Sequence, residues 1–279
     1  MRHLLLWSCL GLLLLTPAGA LAEPAQPAAV RLKLRQTLNL QRTTRQPNAL
    51  VADGRFIYVT DKTGGLCKYD AEGTLVTELQ RVNNDFFIAS DLAQDNEYLY
   101  LPDELSKSII KISKRLDLSN AHKLDLKNVE LLSPAGIYVA KNQDIYLTDS
   151  TGDQVYCFNA FGLLEWRRGL FGDAPQSLNT PRAVVMYANS PVVLDSGNNA
   201  VKQITAARIS SLVSYPGLLS LAAYQDKLFI GTKQGIYLYP SGELLSTPQN
   251  VYPEDLFSLN DSLYVLDSQQ RKILIYEIY

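Results

Sequence analysis

Five aspartates recur where an apolar run stops: Asp61, Asp103, Asp149, Asp195 and Asp267. Carboxylates that converge on one point bind hard cations such as calcium, so one reading is a metal cage. The other is structural: an Asp at the mouth of a β-turn accepts backbone N–H bonds from the residues that follow. The structural reading is the stronger, because a turn wants that carboxylate whatever the protein does. Other chemistry is thinly supplied. Apart from His3, the one histidine is His122, in a charged stretch that reads as a solvated linker. No Gly-x-Ser-x-Gly elbow and no phosphate-cradling glycine loop is present. Cys67 and Cys157 fall in units separated by a whole unit, beyond the ~7 Å reach of a disulfide, so two buried thiols are expected. With no second cysteine pair and no histidine cluster they do not form a metal site. Neither metal nor cofactor is expected.

The acids sit in a repeated phrase, an apolar β run followed by a stop. It reads Ile57-Tyr58-Val59-Thr60-Asp61 first, then returns at 99–103, 145–149, 192–195, 228–232 and 263–267. The stops are 42, 46, 46, 37 and 35 residues apart. A period near 40 with several strands per unit predicts a β-propeller. The expected fold is all-β, with six blades of four antiparallel strands over residues 30–279. In each blade the innermost strand often follows a proline, as at Pro47, Pro134, Pro181 and Pro253. The repeated phrase is the second strand, and runs such as Val155-Tyr156-Cys157-Phe158 are the third. Turns such as Ala71-Glu72-Gly73 and Pro240-Ser241-Gly242 lead into the fourth. The last unit ends after its third strand, whereas the first is preceded by a spare β run at 30–38. That run is expected to join the last blade and close the ring, which removes an exposed edge.

Residues 1–22 read as a signal peptide: Arg2 and His3, an apolar core at 4–15, a break at Thr16-Pro17-Ala18-Gly19, and small residues Ala20-Leu21-Ala22. No later run approaches 18 apolar residues, so no transmembrane span is expected. The expected location is periplasmic or extracellular, with a flexible start at 23–29. Loss of Arg2 takes the net charge from −2 to −3, with no long block of either sign. Nucleic acid is thereby excluded as a partner.

The units resemble NHL-repeat propellers. The resemblance rests on Ser133-Pro134-Ala135-Gly136-Ile137-Tyr138-Val139, on Asp144-Ile145-Tyr146-Leu147-Thr148-Asp149-Ser150, and on Leu194-Asp195-Ser196-Gly197-Asn198-Asn199. It implies an architecture more than an activity, because propellers host enzymes, scaffolds and recognition modules alike. Gluconolactonase-like and strictosidine-synthase-like propellers share that architecture. The resemblance to the lactonases implies an acid and several Asn or Asp around the tunnel mouth, holding a divalent cation. In register, the residues opening the innermost strands here are Asn48, Ser90, Ala135, Arg182, Leu219 and Glu254. Ala135 cannot ligate and Arg182 repels a cation, which leaves Asn48 and Glu254, too few for an oxygen cage. The histidine-rich zinc site of amidating-lyase propellers cannot be assembled from one histidine either.

What remains is recognition. The mouth is expected to present Asn48, Ser90, Asp91, Arg182, Glu254 and Asp255, with Asp85 nearby, a surface suited to a protein, peptide or glycan. A second candidate is a rim cluster of Trp166, Arg167, Arg168 and Phe171, residue types enriched in interface hot spots. Trp166 is also a candidate core residue of a fourth strand. The expected function is that of an exported, non-catalytic recognition or assembly scaffold. The alternative is a metal-dependent hydrolase, lactonase or lyase at the mouth. Nothing in the sequence sets an oligomeric state.

Overall fold

The computed structural model describes residues 30–40, 44–117, 121–205, 207–247 and 250–279. The expected signal peptide and the segment 23–29 lie outside the described residues. The chain folds as six four-stranded antiparallel sheets, the blades of a β-propeller. Blade 1 runs outward from the axis through Pro47–Ala52, Phe56–Asp61, Leu66–Asp70 and Leu75–Leu79. Blade 2 uses Ala93–Gln94, Tyr98–Asp103, Ser108–Ser113 and His122–Lys123. Blade 3 uses Pro134–Val139, Ile145–Asp149, Gln154–Phe158 and Leu164–Arg168. Blade 4 uses Pro181–Tyr187, Ser190–Asp195, Ala200–Ile204 and Ile209–Ser214. Blade 5 uses Leu218–Tyr224, Lys227–Thr232, Gly235–Tyr239 and Glu243–Leu244. No described helix is long and apolar enough to cross a membrane.

Blade 6 supplies its own inner three strands, Pro253–Leu259, Ser262–Asp267 and Lys272–Ile278. Its outer strand is Leu32–Asn39, paired antiparallel with the third from Leu32 opposite Ile278 to Asn39 opposite Lys272. The latch continues past the strands: Arg31 N–H donates to the Tyr279 carbonyl at 2.8 Å, and Tyr279 N–H to the Arg31 carbonyl at 3.1 Å. An Arg35–Glu277 ion pair crosses the same seam on the outside. The expected closure of the ring is thus present.

The core lies between neighbouring blades. Side chains alternate across a strand, and here both faces of each blade are covered, which is why the phrases read as continuous apolar runs. In blade 1, Ala49, Val51 and Tyr58 pack against Leu92, Leu99 and Leu101 of blade 2. Their neighbours Leu50, Ala52, Ile57 and Val59 face the other way, onto Leu38, Leu266 and Ile273 of blade 6. A one-residue slip would exchange these partners, so the pattern fixes the register. Cys67 and Cys157 are buried and are not joined to each other. His122 is placed differently from its expected linker: it pairs with Lys111 as part of the outer strand of blade 2.

Every inner strand except that of blade 2 carries a register shift near its start, between Pro47 and Leu50, Pro134 and Ile137, Pro181 and Ala183, Leu218 and Ser220, and Pro253 and Asp255. A bulge of this kind leaves extra residues unpaired and re-aims their side chains. Here those residues surround the end of the central tunnel.

The latch yields a test. Leu38 is 4% exposed against blade 1, so Leu38→Ala should cost about 2–5 kcal/mol in urea unfolding. Removing residues 30–40 should abolish the cooperative thermal transition, and an unchanged midpoint would refute the closure.

Candidate functional site

The stop aspartates are occupied with backbone. Asp149 accepts N–H bonds from Leu132 at 2.6 Å, Ser133 at 2.9 Å and Gly152 at 2.8 Å. Asp103 takes those of Ile88, Leu105 and Ser106, and Asp61 those of Gln46 and Thr63. Asp267 accepts from Tyr252 and Gln270. Each carboxylate therefore joins the segment entering its blade to the turn after its second strand. Asp195 does the same for Asn179 and also pairs with Lys202 at 2.8 Å. Lys202 Nζ donates in addition to the Ser177 carbonyl at 2.7 Å and that of Ala174 at 3.3 Å, which anchors the long loop before blade 4. Among the described residues no three His, Cys, Asp or Glu side chains are grouped as metal ligands would be.

The residues predicted for the mouth do come together. Asn48, Ser90, Asp91, Arg182, Glu254 and Asp255, with Ala135 and Leu219, line one cavity of about 600 Å³ at the tunnel. Asp85 is not among them; it lies on a short ribbon and pairs at 3.8 Å with Lys123 of the outer strand. Lys62 and Glu104 also line the cavity and were not foreseen. Each directly follows a stop aspartate, so the repeat pointed one position short of them.

Several mouth residues hold the ring together. Asn48 Nδ2 donates to the carbonyls of Ala89 and Ser90 in the next blade, at 3.0 and 2.6 Å. Ser90 Oγ lies 2.8 and 2.9 Å from the Pro134 and Ala135 carbonyls, which share its one proton. Ser220 Oγ donates to the Pro253 carbonyl at 2.7 Å. Between blades 3 and 4 the backbones meet directly: a Cβ on Gly136 would stand 2.3 Å from the Arg182 carbonyl oxygen. The charged mouth groups Arg182 and Glu254 differ from each other. Arg182 is exposed and forms no ion pair with a described residue. Glu254 pairs with Lys62 and accepts from Ser268 Oγ at 3.1 Å.

Deeper in, Asp91 and Asp255 form a carboxyl pair. Asp91 bridges to blade 3, accepting Ile137 N–H at 2.8 Å, and Asp255 bridges to blade 1, accepting Leu50 N–H at 2.7 Å. Burial pushes Asp91 up to about 7, against the pull of those backbone donors. Burial first, and then the charge of Asp91, lift Asp255 well above the usual carboxylate range. The two titrate as a unit and keep a proton near neutrality. The lining includes no histidine and no cysteine.

The rim cluster is elsewhere, on the outer strand of blade 3 and the loop beyond it. Trp166 is half-buried against Tyr146 at 5.9 Å between ring centroids, a core contact as well as a surface one. Arg167 and Arg168 are exposed, and Phe171 is 74% exposed.

No family model and no curated protein matches the chain. Solved structures do. A catalytically inactive His-to-Ala variant of virginiamycin B lyase from Staphylococcus aureus with quinupristin matches with a TM-score of 0.64 at 20% identity, covering 90% of this chain and 88% of that one. A streptogramin B lyase matches at 0.63 and 16% identity, covering 90% and 98%. A structural genomics protein of unknown function from Bacteroides thetaiotaomicron matches at 0.65 and 12%, covering 90% and 76%. At these identities the likeness shows the six-bladed fold and no more.

Two tests follow. Asp149→Ala strands three backbone donors at about 1–3 kcal/mol each, so a loss of at least ~3 kcal/mol in urea unfolding is expected. The carboxyl pair sets a pH dependence. A carboxyl in the unfolded chain titrates near ~4, so between there and about 7 the folded state binds more protons. The pair's contribution to stability is therefore full in acid and is lost as pH rises through that window. Asp91→Asn should flatten the decline in thermal midpoint between about pH 4.5 and pH 7.5, and an unchanged slope would count against the pair.

Proposed function

We propose that this chain is an exported, NHL-type propeller that recognises a polar partner, a peptide or glycan, at its tunnel mouth. The observation that carries the reading is the 600 Å³ cavity, whose rim presents an unpaired, exposed Arg182 beside the Lys62–Glu254 pair. A rigid ring with a few uncommitted charged groups over a concave wall is the usual form of a specific site. Arg182 offers a planar fork to a carboxylate or to sugar hydroxyls. Glu254 offers an acceptor, with Asn48, Ser90, Asp91 and Asp255 supporting the wall. The rim of blade 3, with Trp166, Arg167, Arg168 and Phe171, provides a second contact for a larger protein. A periplasmic or extracellular setting is part of the proposal and rests on the leader-like residues 1–22.

A lyase is the second reading, favoured by the fold neighbours. One of them is described as inactive when a histidine becomes alanine. In this chain His122 lies on the outer strand of blade 2, away from the cavity lining, which weakens that reading.

Oligosaccharide and peptide arrays probed with the protein and with Arg182→Glu test both. Saturable binding by one class, weakened at least ~10-fold by the substitution, is the expected result. No binding on either array, or breakdown of the bound compound, would overturn it.

A further inference from the structure

The entrances to the inner strands of blades 2 and 6 carry two acids whose hydrogen-bonding capacity the ring only half uses. Asp91 and Asp255 are each partly exposed, and both line the cavity of about 600 Å³ at the tunnel. The Asp91 oxygens accept one N–H each, from Leu92 at 2.7 Å and from Ile137 at 2.8 Å. Those of Asp255 likewise accept from Leu256 at 2.8 Å and from Leu50 at 2.7 Å. A carboxylate oxygen can accept twice, so each still has a lone pair to offer.

The cavity's own cations do not answer this pair. Lys62 is taken by Glu254, and Arg182 is exposed at the rim. No ion pair among the described residues includes Asp91 or Asp255. Burial lifts both acids, and the charges that add to it at Asp255 are those of Asp91 and Glu254. No cation pulls either acid down. The other ionisable groups of the lining are Glu104 and Tyr138.

The same wall holds an acceptor with nothing to accept. Gln94 lines the cavity three residues after Asp91, farther from the mouth. Its Nε2 donates to the Ala52 carbonyl at 2.6 Å, but its buried Oε1 has no partner. A buried acceptor left unmet is costly, so the wall calls for a donor that the protein does not supply. Two carboxyls and an amide oxygen make a lining of acceptors. Its counterpart is an ammonium, which brings three N–H groups and a positive charge.

We propose that the cavity takes a primary amine, the free ammonium of a peptide or of an amino sugar, which enters past Arg182 and seats against the Asp91 and Asp255 carboxyls. Gln94 Oε1 takes a further donor of the same ligand. The inference rests on the mouth being a binding site and narrows what that site admits. A cation on the pair favours its ionised form, so binding expels the proton that the pair holds near neutrality.

Calorimetric titration of the full chain with matched probes tests this. The probes are trialanine against N-acetyl-trialanine, and a glucosamine trimer against its N-acetylated form, with calcium chloride as a separate arm. At least one free amine is expected to bind saturably, at least ~10-fold tighter than its acetylated partner. Its affinity should rise between about pH 6 and about pH 7.5, with proton release seen by comparing buffers of different ionisation heat. Asp255→Asn should weaken the amine at least ~10-fold. The pH and buffer readouts use the unaltered chain, so they stand even if that variant fails to fold. Acetylated probes that bind as well as the amines would overturn the inference while leaving the mouth a recognition site. So would an amine affinity that is flat across that pH range. Calcium binding with the amines silent would overturn it in favour of an ion site. Silence from every probe would also overturn it, and the arrays then decide the mouth independently.

Discussion

A carboxylate at the end of the second strand ties three pieces of backbone to one point in almost every blade: the strand itself, the turn after it, and the segment arriving from the previous blade. With Asp149 those donors are Leu132, Ser133 and Gly152. The arriving segment must then bend sharply to enter the innermost strand, and the register shifts after Pro47, Pro134, Pro181 and Pro253 record that bend. Blade 5 departs instructively. Its turn is shorter, and Thr232 Oγ1 both accepts from Gln234 N–H at 3.1 Å and donates to the Gly235 carbonyl at 3.0 Å. A hydroxyl suffices where fewer amides need a partner.

Once the entry segments are pinned, the tunnel wall follows. Residues at the strand entrances project into it, and most of their polarity is consumed at the seams between blades, as with Asn48, Ser90 and Asp255. Specificity is left to the exposed Arg182, together with the Lys62–Glu254 pair, which itself spans blades 1 and 6. The polar character of the mouth is thus mainly a property of ring assembly, with recognition carried by a minority of its side chains.

The ring was legible in the sequence because burial of both faces makes each second strand a continuous apolar run, a strong local signal repeated six times. The missing outer strand was legible by counting. Mouth positions such as Asn48, Arg182 and Glu254 could be read because the proline-led entry recurs in register. Other features depend on contacts between units, which no single repeat displays. Lys62 and Glu104 line the cavity from the turn after the second strand, one position past the aspartate that the repeat marks. Lys68 looks like any alternating strand residue until Lys114 of the next blade is placed against it. His122 was misplaced because the segment after blade 2's third strand has little apolar periodicity, and pairing with Lys111 decides it. Asp85 lies before that blade, on a two-residue ribbon strand against Arg81–Val82, and pairs with Lys123 of the outer strand.

The velcro of blade 6 joins residues almost a full chain length apart, Leu32 with Ile278. Loop-closure entropy for that contact is the largest the topology can demand, and non-local pairing slows folding. Until it forms, the strand Lys272–Ile278 presents an open row of amides and carbonyls. The half-closed ring is consequently the species most exposed to intermolecular strand addition, and swapping of the Leu32–Asn39 strand between copies is its natural misassembly.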